Sequence, residues 1–357
     1  MQQWIFLILT VALIMCTFAP LSRFEQWWVR GWDFPRLQLF YLSVVLLAAE
    51  LLLLDFTFTK SRIIFAAGLA CTIYLAWWII PFTRLSAKEV ETANDPDPAN
   101  SFVIMVSNVF MDNRKVQDLL KVVRDNDPDI LVTLETNSWW EDQLRELEQD
   151  YPHTIKCPLE NKYGMHVFSK LELVDFNIRF LIERDIPSIR TRAVLPSGRK
   201  VQLHFLHPAP PSPTENETSK ARDAELITIA KEVSPDDAFK DMGAEDPDAV
   251  VVTGDLNDVA WSDTTRLFRK ISGLLDPRVG RGMFNTFHAE YLLIRWPLDH
   301  LFHSHHFNLI RIKRLPYIGS DHFPILVGLE LTNDKKNEGA GLEADMEDED
   351  MAEEKLR

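Results

Sequence analysis

Three long apolar stretches crowd the first 82 residues: Trp4 to Ala19, Leu37 to Phe58 and Ile63 to Phe82. Each approaches the roughly 20 residues needed to cross the hydrocarbon core of a bilayer. In lipid the backbone must satisfy its own N–H and C=O groups, so each stretch is expected to be a helix. The first has the length of a secretory signal. It lacks a basic segment ahead of it and a clear small-residue cleavage site behind it, and two further stretches come after it, so we read three spans. Glu50 falls within the second stretch, where an ionised acid at the bilayer centre costs roughly 2.5–3.5 kcal/mol or more. It is expected to make a packed polar contact between helices, and Asp55 to sit at the interface. Trp27, Trp28, Trp32, Trp77 and Trp78 cluster near span ends, as interfacial belts do. Arg23, Arg30, Arg36, Arg84 and Lys88 share a side with the rest of the chain, against Lys60 and Arg62 opposite. The positive-inside rule then puts the large domain in the cytoplasm, while the uncharged N-terminus also permits the reverse insertion, so the side stays open.

Charge separates this segment from the remaining 275 residues. Five basic side chains nearly cancel four acidic ones in residues 1–82, so of a whole-chain net charge of −15 the remainder carries −16. A surface that acidic repels polyphosphate backbones, and a general nucleic-acid-binding role is disfavoured for want of a basic stripe. The three cysteines, Cys16, Cys71 and Cys157, offer neither a disulfide framework nor a cysteine zinc site.

The chain divides by composition into a membrane segment (1–82), a polar acidic linker (83–100) carrying Asp95-Pro96-Asp97-Pro98, a large domain (101–332) and a tail (333–357). The tail has ten acids, four bases and no apolar periodicity, and is expected to be disordered. In the large domain, strands are expected at Ser101–Ser107, Asp129–Glu135, His166–Ser169, Leu173–Leu181, Arg192–Leu195 and Val201–His207. Further strands are expected at Leu298–His303, Phe307–Arg311 and Phe323–Leu331. Helical spacing marks Asn113–Asn126, Ser138–Gln149, Glu215–Val233 and Ser262–Ser272. Many strands with few helices between them fit sheets packed on each other and covered by helices.

The stretch Ala249 to Asp258, Ala-Val-Val-Val-Thr-Gly-Asp-Leu-Asn-Asp, is a buried strand that delivers Asp255 and Asn257 to a sheet edge. An acid and an amide two positions apart on a rigid strand end can hold a cation or a water beside an anion. Other expected strand ends also carry polar groups: Asn108, Glu135, His207, Asp299 and the pair Asp321-His322. In order, Ser107-Asn108, Leu134-Glu135-Thr136, Leu206-His207-Pro208, Gly254-Asp255-Leu256-Asn257, Leu298-Asp299-His300 and Gly319-Ser320-Asp321-His322-Phe323-Pro324 resemble the motifs of the endonuclease/exonuclease/phosphatase (DNase I-like) superfamily. The likeness spans residues 101–331. Three spans together with the His207-Pro208-Ala209-Pro210-Pro211 loop also resemble a membrane-anchored bacterial branch of it.

The resemblance implies a four-layer α/β sandwich and a metal-dependent phosphoester hydrolase. Carried over by residue, it makes Glu135, Asn108 and Asp321 the ligands of Mg²⁺ or Mn²⁺. Asp255 and Asn257 position the attacking water and the phosphoryl group. His322 is general base or stabiliser of the phosphorane, oriented by Asp299, and His207 bonds the phosphate or protonates the leaving oxygen. Two positions after Glu135 the abasic endonucleases carry a Lys, and this chain has Asn137. A tether raises the local concentration of lipid headgroups, so the expected substrate is a phospholipid headgroup or a small phosphorylated molecule. A nuclease and a non-catalytic membrane-binding module are the alternatives. His303 and His305 share a face by spacing, which suggests a second metal site or, preferably, a solvated strand. His166 occupies a strand position where the family carries a small apolar residue.

Overall fold

The computed structural model describes residues 1–235 and 249–357. The N-terminal helices are α1 (Gln2–Phe18), α2 (Trp27–Arg30), α3 (Arg36–Leu53) and α4 (Thr59–Ile79). Among the described residues, three segments are long and apolar enough to cross a membrane: Gln2–Ser22, Arg36–Leu53 and Thr59–Phe82. The second stops at Leu53 rather than Phe58 because Asp55 turns the chain, its Oδ1 accepting from Thr57 N at 2.9 Å and Thr57 Oγ1 at 2.7 Å. Glu50 is buried and accepts from Thr10 Oγ1 of α1 at 2.8 Å. A Cβ on Gly68 of α4 would stand 3.2 Å from Leu47 Cδ2 and 3.4 Å from Glu50 Oε2, so α4 passes close to Glu50 at this glycine. This is an interhelical polar contact of the kind the sequence suggests.

Between α1 and α3 the chain docks on the large domain. Gln26 bridges to Thr218, Trp27 N donates to Glu217 O, and Trp261 Nε1 donates to Asp33 O at 2.9 Å. Arg36 is buried, donating to Asp33 Oδ1 at 2.6 Å, with its guanidinium 4.1 Å from the centre of the Trp78 ring. Arg30 lies 3.9 Å from the same carboxylate. Two of the five cations counted on the side of the large domain, Arg30 and Arg36, are thus engaged in a buried junction between the N-terminal segment and that domain.

The large domain contains β1 (Ser101–Asn108), α5 (Val116–Asn126), β2 (Ile130–Leu134), α6 (Ser138–Gln143), β3 (His153–Cys157), β4 (Met165–Ser169), β5 (Glu172–Arg179), β6 (Ser188–Val194) and β7 (Lys200–Leu206). It continues with α7 (Lys220–Val233), β8 (Ala249–Asp255), α8 (Asp263–Ser272), β9 (Asp299–His303), β10 (Phe307–Arg314) and β11 (Ile325–Leu331). One sheet runs β10-β11-β1-β2-β4-β3 and the other β5-β6-β7-β8-β9, with β1–β2 and β7–β8 parallel and the other neighbours antiparallel. Alternate residues of both sheets, such as Ile104, Val106 and Val132 facing Leu203, Phe205 and Val251, interdigitate in the central core. The opposite faces are covered by α5 and α6, which bury their Leu119, Val123 and Trp140, and by α7 and α8, which bury their Leu226, Ile229 and Phe268. The result is the expected four-layer α/β sandwich.

Several local expectations change. Met346–Lys355 of the tail forms a helix, α9, rather than disordered chain. A reciprocal capping box between Asp345 and Asp348 starts it, Ala352 packs on Ile227 and Leu267, and Lys355 Nζ reaches the buried Asp223 at 2.6 Å. The linker is docked too: Val90 is buried in the central core, and Glu89 pairs with Arg269 and accepts from Asp276 N. Strand β9 is buried throughout rather than solvated. His300 lies between Arg278 and Asp258 O, and His303 bonds Ser304 O, while His305 sits in the turn after it.

Candidate active site

Topology gathers the polar strand ends. Parallel β1 and β2 end side by side, presenting Asn108 and Glu135. Antiparallel pairing sets Asp255, the last residue of β8, opposite Asp299, the first of β9. His207 comes directly after the parallel neighbour β7. Gly254 is required at this crossing: it has φ +151, and a Cβ there would stand 1.9 Å from Leu206 O. Glu135 and Asn257 hold φ of 61° and 50°, the left-handed region that non-glycine residues avoid, and such strain concentrates at functional sites.

All eight residues singled out from the sequence meet here. Glu135, His207, Asp255, Asn257, Asp321 and His322 line one cleft of about 300 Å³, and Asn108 and Asp299 are buried behind them. His322 lies between two carboxylates, with Nδ1 2.8 Å from Asp299 Oδ2 and Nε2 3.4 Å from Asp255 Oδ2. His207 Nε2 is 3.8 Å from Asp255 Oδ2 on its other side. Asn108 Nδ2 donates to Glu135 Oε1 at 2.9 Å and to Asp255 Oδ2 at 3.2 Å, while its Oδ1 accepts from Phe110 N at 3.0 Å. In this orientation Asn108 ties the two carboxylates together and turns its own oxygen away from them. Asn257 N donates to Asp255 Oδ1 at 3.0 Å, and its side-chain amide donates to Pro208 O at 2.9 Å. Ser320 Oγ donates to Asn108 O at 2.8 Å and accepts from His322 N at 3.0 Å, fastening the Asp321-His322 turn to β1.

Burial alone would lower the His322 pKa, but Asp299 and then Asp255 outweigh it and hold the imidazolium to about 10. Burial pulls His207 down to about 4, so it is neutral at physiological pH. Burial also raises Asp255, and pushes Glu135 up to about 7, with Asn108 opposing and Asp321 adding to the rise. Neither Glu135 nor Asp321 pairs with a Lys or Arg among the described residues. Two carboxylates lining one cleft, with the His322 imidazolium as the cation that acts on them, offer oxygen ligands that suit a hard divalent cation. Asp255, Asp299 and His322 can also offer ligand atoms within 4.8 Å of one another. There, however, the Nδ1 of His322 already engages Asp299.

The cleft also contains residues that sequence reasoning missed: Phe34, Phe110, Lys162, Tyr163, Glu215 and Phe287. Tyr163 hydrogen-bonds Glu215 across it, and its ring lies 5.3 Å from His207. Lys162 is the one Lys or Arg among the described lining residues. Its φ of 73° is the only irregularity it shows, and nothing in the surrounding sequence signals it.

Two packed mixed sheets with a carboxylate, amide and histidine cluster at their strand ends define an α/β-sandwich hydrolase of phosphoesters. The chain belongs to the Endonuclease/Exonuclease/phosphatase family, whose model matches residues 105–322, and its enzymes are metal-dependent phosphoester hydrolases. The fold is similar to the human Nocturnin catalytic domain with bound sulfate anion, at 15% identity and a TM-score of 0.52, covering 66% of this chain and 96% of that one. It is also similar to family proteins from Bacteroides thetaiotaomicron (20% identity, TM-score 0.50, 65% and 96% covered) and Bacteroides vulgatus (18%, 0.50, 65% and 99%). No curated protein sequence matches significantly.

Proposed function

We propose that the chain is a membrane-anchored phosphoester hydrolase, acting on a phospholipid headgroup or a small phosphorylated molecule. The observation that carries the reading is His322 clamped between Asp299 and Asp255 beside the carboxylates Glu135 and Asp321, which have no Lys or Arg partner among the described residues. Glu135 and Asp321 would hold Mg²⁺ or Mn²⁺, which when bound neutralises charge on a phosphoryl oxygen. Asn108 orients Glu135 and Asp255 instead of ligating.

At neutral pH, His322 is the imidazolium and so already carries the proton that a general base would accept. It therefore donates from Nε2 to the phosphoryl oxygens as negative charge builds on them. Asp255, whose carboxylate is made more basic by burial, takes the proton from the attacking water. The water oxygen bonds to phosphorus, the ester P–O bond breaks, and the leaving oxygen takes a proton from solvent, while the proton held by Asp255 is released to solvent and restores the carboxylate. Asn257 fixes Asp255, Asp299 fixes the ring of His322, and neutral His207 hydrogen-bonds the phosphate or the leaving oxygen. Lys162 supplies the entering phosphate with a cation.

The test is phosphate or alcohol release by the full chain in detergent micelles with Mg²⁺ or Mn²⁺, on phospholipids, inositol phosphates, nucleotides and plasmid DNA. Metal-dependent turnover on lipid or small phosphoesters, lost in His322→Ala, supports the reading. Preference for DNA would replace it with the nuclease. Metal binding without any turnover, or no metal binding at all, would favour a non-catalytic module.

A further inference from the structure

The loop before β9 leaves four consecutive large apolar side chains in the open: Tyr291, Leu292, Leu293 and Ile294 are 56, 75, 82 and 47% exposed. Such a run on a folded domain marks an interaction surface. Its position is fixed by contacts with the membrane helices. Gln38 Nε2 donates to Leu293 O at 3.0 Å, Trp296 Nε1 donates to Gln38 Oε1 at 3.4 Å, and Phe34 packs edge-on to Trp296 with ring centres 5.5 Å apart. Gln38 is the third residue of α3. At about 1.5 Å of rise per residue it lies about 3 Å along that helix. The apolar tip is therefore pinned at the height where the second span begins, and at the same end Trp27, Trp28, Trp32 and Trp77 are also exposed.

The loop has a basic shoulder. The guanidinium groups of Arg295 and Arg314 lie 5.0 and 4.5 Å from the centre of the Phe323 ring. Arg295 donates to His288 O and Ala289 O, and Arg314 donates to Asn285 O, so both brace the loop. Neither pairs with a carboxylate among the described residues. On the tip's other side the exposed Glu290 accepts from Tyr317 Oη at 3.0 Å, and an apolar tip with two cations and this one acid at its base matches the surface of a bilayer containing anionic lipid. The same loop walls the cleft: Phe287 stacks on Trp296, and its ring lies 4.9 Å from that of His322. Phe34, two residues before α3, lines the cleft with Glu135 and His322.

We propose that Tyr291–Ile294 inserts into the bilayer surface, and that the cleft draws its substrate from that surface. The substrate is then a lipid phosphoester, whose hydrocarbon chains stay in the membrane while its phosphate reaches Glu135 and His322. The proposal rests on the hydrolase reading and on the membrane spans.

The full chain in nanodiscs of phosphatidylcholine and phosphatidylglycerol provides the test. A bimane label at Leu293→Cys, in a chain carrying Cys16→Ala, Cys71→Ala and Cys157→Ser, is compared with one at Ser197→Cys, in the turn at the far end of β6 and β7. Nitroxide-bearing lipid is expected to quench the label at 293 at least about threefold more than the label at 197. The pair Leu292→Asp and Leu293→Asp should lower turnover of nanodisc phospholipid by about tenfold or more, with turnover of soluble bis(p-nitrophenyl) phosphate changing by less than about twofold. Equal quenching at the two positions overturns the proposal, as does a charged pair that leaves lipid turnover intact. A wild-type chain that hydrolyses the soluble ester but no lipid overturns the substrate class alone. A wild-type chain that hydrolyses neither removes the hydrolase reading on which the substrate class depends.

Discussion

Replacing Asp299 by Asn tests the centre of the site while keeping its shape, because the amide oxygen can still accept from His322 Nδ1. In the wild-type chain His322 is raised from 6.5 to about 10. At about 1.4 kcal/mol per pH unit, this is about 5 kcal/mol of preference for the imidazolium. Asp299, at 2.8 Å against 3.4 Å for Asp255, supplies the larger share, so its neutralisation should remove about 3 kcal/mol and lower the His322 pKa by about two pH units. The ring keeps its place and stays protonated at neutral pH, but without the Asp299 charge behind it the imidazolium is less able to hold the phosphoryl oxygens as charge builds on them, and kcat on a soluble phosphoester should fall by about 10². The sign of the stability effect comes from linkage. A raised histidine pKa contributes stability that is fully present below 6.5 and is lost as pH rises through about 10. Melting temperatures of the metal-free wild type should therefore fall across that window more steeply than those of Asp299→Asn. NMR titration of the ring gives the pKa directly. Superimposable pH–melting curves, or a variant kcat within about threefold of wild type, would refute the electrostatic clamp.

Three further outcomes are expected. Glu135→Gln should weaken Mn²⁺ binding by about 10- to 100-fold in calorimetric titration, with the fold unchanged by circular dichroism, and unchanged affinity would take Glu135 out of the ligand set. His166 and His303, held by burial to about 3 and about 4, are neutral in the fold, so the stability they contribute above 6.5 is lost as pH falls towards those values, at about 1.4 kcal/mol per pH unit each. His166→Leu should make the acid-side fall in melting temperature shallower, and should stabilise the chain at neutral pH by about 1–3 kcal/mol, since both ring nitrogens are buried without partners. Lys355→Met should cost about 1–3 kcal/mol, less than the loss of an isolated buried pair because Asp223 keeps Arg222 at 2.8 Å, and a melting temperature equal to wild type would show that α9 adds nothing to stability.

The strand ends were legible because each is an apolar run that stops at a polar residue, and a parallel or antiparallel neighbour then decides only which ends meet. Asn108, Glu135, His207, Asp255, Asn257, Asp299 and the pair Asp321-His322 could be picked out this way, and the motif order joined them into one set. Phe34 and Phe287 could not be, since an aromatic residue in a loop carries no sign of the wall it will join, and the first comes from the membrane segment. Strand β3 was missed because only Ile155 of its five residues is buried, too little for a periodic signal. The tail was misread because its composition argued for solvation, whereas its order comes from partners far away in sequence, Asp223 and Lys270, which a local window does not contain.

The end of α4 also belongs to the core of the large domain. Trp78, Ile79 and Phe82 share a core with Val259, Ala260, Trp261 and Leu298, which lie just after Asp258 or just before Asp299. The floor beneath the cleft is thus built partly from the third apolar helix itself. In the membrane anchorage proposed above, such a mount would act as a depth gauge, holding the cleft at one height and one tilt above the lipid. Ester bonds would then be sorted by how far they stand from the hydrocarbon boundary as well as by their chemistry. Cutting the anchor away would release the gauge and strip apolar cover from the underside of the catalytic strands in the same stroke.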